Sequence, residues 1–195
     1  LFSYTCGEAG DVASLPVLWA DANTTYATDR LGNELIPDQK AVDSPYGGFL
    51  QDYRDTDSAA LMLSLAEGSR HFTLSPQAQA VKIYGIYVVP VQDTIDYQEY
   101  LRAHKDTPRY DQMLPFEAER YSIKSDSFIR ATSKKIAALT PYDTYHKLLN
   151  VLDESSWSSA GQKILWDFTV PQDGLYAIGV RYLQNSDTDK PVYRK

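Results

Sequence analysis

Cysteine is nearly absent: Cys6 is the one thiol among 195 residues, so no intrachain disulfide can form and the redox compartment stays undecided. No apolar run approaches the roughly 20 residues that a membrane-spanning helix needs. A chain with 26 acidic and 19 basic side chains, net charge −7, also lacks any Lys/Arg cluster able to neutralise phosphates. Nucleic acid, anionic membrane surfaces and a direct membrane span are therefore poor candidates. His71, His104 and His146 stand apart from one another and from Cys6, which leaves no zinc spacing. G-x-S-x-G, a Gly-rich phosphate loop and H-E-x-x-H are missing as well. Glycoside hydrolysis needs two carboxylates about 5 to 9 Å apart across a cleft, and no acid here is framed by a recognisable motif. The chain reads as non-catalytic. Ser3-Tyr-Thr5, ahead of Cys6, lacks the small residues of a lipidation site, and the Leu1-Phe-Ser-Tyr4 start fits either a signal remnant or an arbitrary cut.

What is present is tyrosine, 15 of them with 3 Trp against 6 Phe. Such side chains offer a flat apolar face with a polar edge, suited to sugar rings and equally to half-buried sheet positions. The most legible segment is Trp166 to Tyr182. Trp166, Phe168 and Val170 alternate with Asp167 and Thr169, the period-two pattern of a strand with one wet face. Pro171-Gln-Asp-Gly174 supplies turn chemistry, and Leu175, Tyr176, Ile178, Val180 and Tyr182 resume a β-rich run. The unit predicts a hairpin suited to sheet-on-sheet packing.

Upstream, Phe116-Glu-Ala-Glu-Arg-Tyr121 reads as a strand with Glu117 and Glu119 on one face. Together, these two segments resemble the carbohydrate-binding β-sandwich modules of the galactose-binding-like class, families 6 and 35, over roughly residues 114–195. More narrowly, residues 129–195 are similar to modules found ahead of extracellular solute-binding proteins of bacterial sugar ABC transporters. The resemblance implies an all-β fold built of galactose-binding-like jelly-roll sandwich units with short helical insertions. It also implies an extracellular or cell-surface setting. Pro191-Val-Tyr-Arg-Lys195 begins a strand pattern and stops, so the C-terminal unit is expected to be truncated and the chain a fragment of a longer polypeptide.

Elsewhere, Leu61, Leu63 and Leu65, then His71-Phe-Thr-Leu74, then Val81 to Val89 predict three strands. The stretch from His71 to Val89 faintly echoes Asp167 to Gln184. Ile95 to His104 carries Ile95, Tyr97, Tyr100, Leu101 and His104 on one helical side, and Lys105-Asp-Thr-Pro-Arg109 breaks it. These marks divide the chain into a sandwich-like domain over 1–92, a helix and linker over 93–109, and a module over 110–195. Asp143 to Leu152 predicts a second helix, inserted against the sandwich. Residues 1–57 show no sustained period.

Glu117 and Glu119 repel unless a cation lies between them, and oxygen ligands of this kind suit calcium. In the resembled families, glutamates of this strand help hold a structural calcium. The alternative, two solvated glutamates flanked by Arg120, stays open. Asn185-Ser-Asp-Thr-Asp189 has the oxygen spacing of half a calcium loop, but Lys190 stands where Gly is needed, and it reads as an ordinary polar loop. Sugar binding on such a fold uses an aromatic platform with polar side chains on edge loops. Tyr142, Tyr145, Trp157 and Asn185 fall in such segments, with Trp157 either a platform or a buried cap. The first expectation is a glycan-binding module, with polysaccharide or oligosaccharide and neighbouring domains of the same polypeptide as partners; the alternative is a spacer sandwich with no glycan ligand, or an accessory domain of a glycoside hydrolase.

Overall fold

Gly7 makes the first turn of the chain. With φ of +60° it takes the first central place of a two-residue hairpin loop, where a side chain would be strained. The hairpin belongs to a computed structural model that describes residues 2–52, 59–77, 81–91, 95–153, 155–159 and 161–183. Its strands, β1 (Phe2–Cys6) and β2 (Ala9–Ala13), are joined on the other edge of β1 by β5 (Phe72–Pro76), giving the antiparallel order β2-β1-β5. Phe2 and Cys6 are buried, and Tyr4 stacks on Phe72 with ring centroids 6.4 Å apart.

A second antiparallel sheet takes β3 (Trp19–Asp21), β4 (Gln39–Ala41), β6 (Ile123–Lys124) and β9 (Ile164–Leu165) in the order β4-β3-β6-β9. Trp19 registers with Lys124, so the N-terminal third and the middle of the chain share one sheet. A third sheet pairs β7 (Ala131–Thr132) with β8 (Val151–Leu152). Tyr26, Ala131 and Leu149 form its buried apolar cluster, and Ile129 is fully buried beside them in sequence. The described chain is all-β apart from one short helix, α1 (Tyr97–Ala103), whose first turn is capped by the Asp96 carboxylate on the amide of Gln98.

Two compact units result. One joins residues 1–93 with 115–169 and holds the nine strands found among the described residues; the other joins 94–114 with 170–195. The sequence divides the chain at 92 and 109, whereas here 115–169 completes the sheets begun by the first 93 residues. In the second unit Leu175 bridges Arg109 in parallel, and Tyr110 stacks on Tyr176 at 4.8 Å.

Several expected elements are absent from the described residues. Trp166 to Val170 and Tyr176 to Leu183 carry no strand. The aromatics that wrote the alternation are used otherwise: Phe168 stacks on Phe116 at 5.5 Å, and the Trp166 indole donates to the Ala118 carbonyl at 2.8 Å. Leu61 to Leu65 and Val81 to Val89 form no strand, and Val88 and Tyr87 are over 80 % exposed. Asp143 to Leu152 is not a helix. Its amides go to tertiary partners, Leu149 to the Glu34 carboxylate and Asn150 to the Thr132 carbonyl, in place of the i−4 carbonyls.

Candidate functional site

The loop over 141–147 rises from the feet of β7 and β8. At one foot the buried Asn150 side chain accepts from the Lys134 amide and donates to the carbonyls of Lys134 and Pro141, at 2.9 to 3.1 Å. At the other, the Lys147 amide donates to Asn33 Oδ1 and the Lys147 carbonyl accepts from the Glu34 amide. Asn33 is itself fixed by Asp29, which accepts from its amide and side chain and from the Leu31 amide. Those hydrogen bonds hold the Asp29 carboxyl below the usual range, the Asn33 side chain contributing most.

Within the loop, Asp143 Oδ1 accepts from the amides of Tyr145 and His146, and Oδ2 lies 3.0 Å from His146 Nδ1. The His146 side chain, followed by these backbone amides, pulls the Asp143 carboxyl down to about 2. The Lys135 ammonium donates to the carbonyls of Thr144 and Tyr145. Gly32 leaves room for the His146 ring, since a Cβ there would come within 2.8 Å of His146 Cδ2. A short loop tied at so many points presents its aromatics outward: Tyr142 is 41 % and Tyr145 85 % exposed.

Trp157 is placed differently. It is half-buried and meets the Trp166 ring edge-on, with centroids 6.4 Å apart and planes at 71°. Its amide and that of Ser156 donate to the carbonyl of Asp153, a buried carboxylate 2.6 Å from the Lys134 ammonium. Asn185 lies outside the described residues, as does the polar run to Asp189.

Glu117 and Glu119 do not share a strand face, which corrects that premise of the calcium expectation. The Arg120 amide returns to the Glu117 carbonyl at 3.0 Å, closing a turn that leaves Glu117 exposed and buries Glu119. Oε1 of Glu119 is buried without a hydrogen-bond partner. Burial drives its carboxyl up to about 7, with Glu117 and Glu34 adding to the rise and its own backbone amide and Arg120 opposing it. The Tyr26 hydroxyl donates to the Glu119 carbonyl at 3.0 Å, and Arg120 lies over the Tyr26 ring at 4.0 Å. Burial pushes the Tyr26 hydroxyl up to about 12. Among the described residues no group of three or more His, Cys, Asp or Glu side chains is placed to hold a metal.

A further polar cluster joins β3 to β6. Lys124, whose side chain is fully buried, donates to Asp21 Oδ1 at 3.3 Å, to the Tyr121 hydroxyl at 2.9 Å and to the Ile129 carbonyl. Tyr121 in turn donates to Asp21 Oδ1 at 2.9 Å. Burial lowers the Lys124 ammonium and raises the Tyr121 hydroxyl from their ordinary values. Nothing in the local sequence marks these residues: Lys124 sits in an unremarkable Ile-Lys-Ser run, and Asp21 lies a hundred residues away.

A cleft of about 240 Å³ opens beside β1 and β2, lined by Tyr4, Asp11, Leu50, Gln51, Asp52 and Leu61. It is smaller than the roughly 300 to 1,000 Å³ of small-molecule sites. Comparison of the chain with family models, curated proteins and solved structures finds no match.

Proposed function

We propose that this chain is a non-catalytic glycan-binding domain whose platform is the 141–147 loop, with Tyr142 and Tyr145 as its stacking surfaces. The carrying observation is Tyr145, 85 % exposed at the crest of a loop whose backbone is tied down by Asp143, Lys135 and Asn150. An aromatic that contributes so little to packing is free to stack on a sugar ring, and a loop already ordered loses little conformational entropy on binding. Trp157 takes a supporting part at the Trp166 face. The galactose-binding-like jelly-roll architecture belongs to the same proposal, as does the setting: a secreted or cell-surface bacterial protein in which the domain keeps a sugar-transport partner close to polysaccharide.

A glycan array probed with the full chain tests this. The wild type is expected to bind at least one polysaccharide or oligosaccharide saturably, and Tyr145→Ala to weaken that binding about tenfold, near 1.4 kcal/mol, without lowering its melting temperature. A flat array from a folded chain would favour the spacer reading and sink this one.

A further inference from the structure

The Asp21–Tyr121–Lys124 cluster, in which Lys124 is buried and its two partners half-buried, is more than an ion pair in its layout. Lys124 Nζ is fully enclosed, and three acceptors aim it: Asp21 Oδ1, the Tyr121 oxygen and the Ile129 carbonyl. Tyr121 receives a hydrogen bond from Nζ at 2.9 Å and gives one to Asp21 Oδ1 at 2.9 Å, so a proton can pass from ammonium to carboxylate through one hydroxyl. Enclosing the ammonium in a medium of low polarity is costly, and neutralising it relieves that cost. Such a transfer leaves an amine against a carboxylic acid, the two reactants of an amide condensation, with their encounter already made intramolecular.

We propose that Lys124 and Asp21 form an intramolecular isopeptide bond that covalently staples β3 to β6. The ammonium of Lys124 passes a proton through Tyr121 to Asp21, leaving an amine and a carboxylic acid. The Nζ lone pair attacks Cγ of Asp21, and the Nζ–Cγ bond forms. The tetrahedral carbon then expels its hydroxyl as the Cγ–O bond breaks, and a proton from Nζ completes the departing water. Tyr121 ends as it began, and no oxidant, reductant or metal enters the balance. Desolvation that holds Lys124 below its ordinary basicity assists the first transfer. The Asp21 side chain keeps 12 % exposure, which gives the water an exit and the amide a dry environment in which hydrolysis is slow to follow. Tyr121 is a positioning and proton-transfer residue in this step, while the bond joins partners 103 residues apart.

Intact mass of the full chain, measured after denaturation, reads the bond directly. The proposal expects a mass lower than the sequence mass by one water. It also expects a branched tryptic species joining the peptide of Asp21 to that of Lys124, with no cleavage after Lys124. Lys124→Arg and Asp21→Ala should each return the full sequence mass, whether or not they fold, because neither can condense. Tyr121→Phe should leave both reactants in place and slow the water loss by at least tenfold, read as intact mass against time in freshly synthesised chain. A wild-type mass equal to the sequence mass overturns the proposal. So does a water loss that survives in Lys124→Arg, which would assign the dehydration elsewhere, for instance to a succinimide at Asp173-Gly174.

Discussion

Lys124 and Tyr145 show the two ways in which the larger unit uses a carboxylate to fix a neighbour. At Lys124 the carboxylate of Asp21 faces inward, and the cation, a tyrosine hydroxyl and a carbonyl close around each other with no solvent left on the ammonium. At Tyr145 the carboxylate of Asp143 turns its oxygens onto backbone amides and His146, and the aromatic is left outside. The same group, satisfied in two directions, makes a closed joint in one place and a rigid display in the other. Rigidity alone therefore does not mark a binding site; rigidity combined with an apolar face left in water does.

Removing the inward cation should have the largest effect. Lys124→Ala removes both the ammonium that fills this joint and the amine of the proposed staple, leaves the Ile129 carbonyl without its Lys124 partner, and is expected to cost at least about 3 to 5 kcal/mol of stability in urea unfolding. A loss below about 1 kcal/mol, the worth of an exposed pair, would erase the distinction between the two regions.

Glu119 sharpens the comparison, because it is an inward carboxylate with one oxygen unsatisfied. Its folded pKa of about 7 lies above the ordinary 4.5, so the folded state holds the proton more tightly than the unfolded chain does. Its contribution is undiminished below 4.5, declines as pH rises from 4.5 to about 7, and is flat beyond. Glu119→Gln should remove that decline and raise stability above pH 7 by on the order of 2 kcal/mol. Melts of the two proteins across the range check this, and parallel curves would show that Glu119 is solvated.

The smallest effect on folding is expected outside. Tyr145→Ala should shift stability by no more than about 0.5 kcal/mol, as for a surface position with no packing role. A larger loss would mean that the ring supports the loop it stands on.

The parts of this arrangement that were legible in the sequence are those with local causes. Asp96 and the spacing from Tyr97 to Leu101 write α1, and Phe72 to Leu74 writes β5. The sheet joining β3 to β6 depends on residues about a hundred positions apart, and no window along the chain contains both. Phe116 to Tyr121 alternates as a strand would, yet the Arg120 amide finds the Glu117 carbonyl and the segment turns. Asp143 has the look of a helix N-cap, but after its two amides are satisfied those of Lys147, Leu149 and Asn150 go to Asn33, Glu34 and Thr132, and tertiary bonds override the helical period. At the candidate site, Tyr142 and Tyr145 could be named as loop aromatics from their polar surroundings. Their different exposures, and the clamp formed by Asn33, Lys135 and Asn150, came only with the contacts.

The most direct test of the division between closed joint and open display is hydrogen–deuterium exchange of the full chain, with and without a saturating concentration of the soluble polysaccharide that gives the strongest array signal. The account predicts that peptides covering 142–147 exchange more slowly with the polysaccharide present, while those covering 117–131 are unchanged. Unchanged exchange over 142–147, with protection appearing elsewhere, would contradict it.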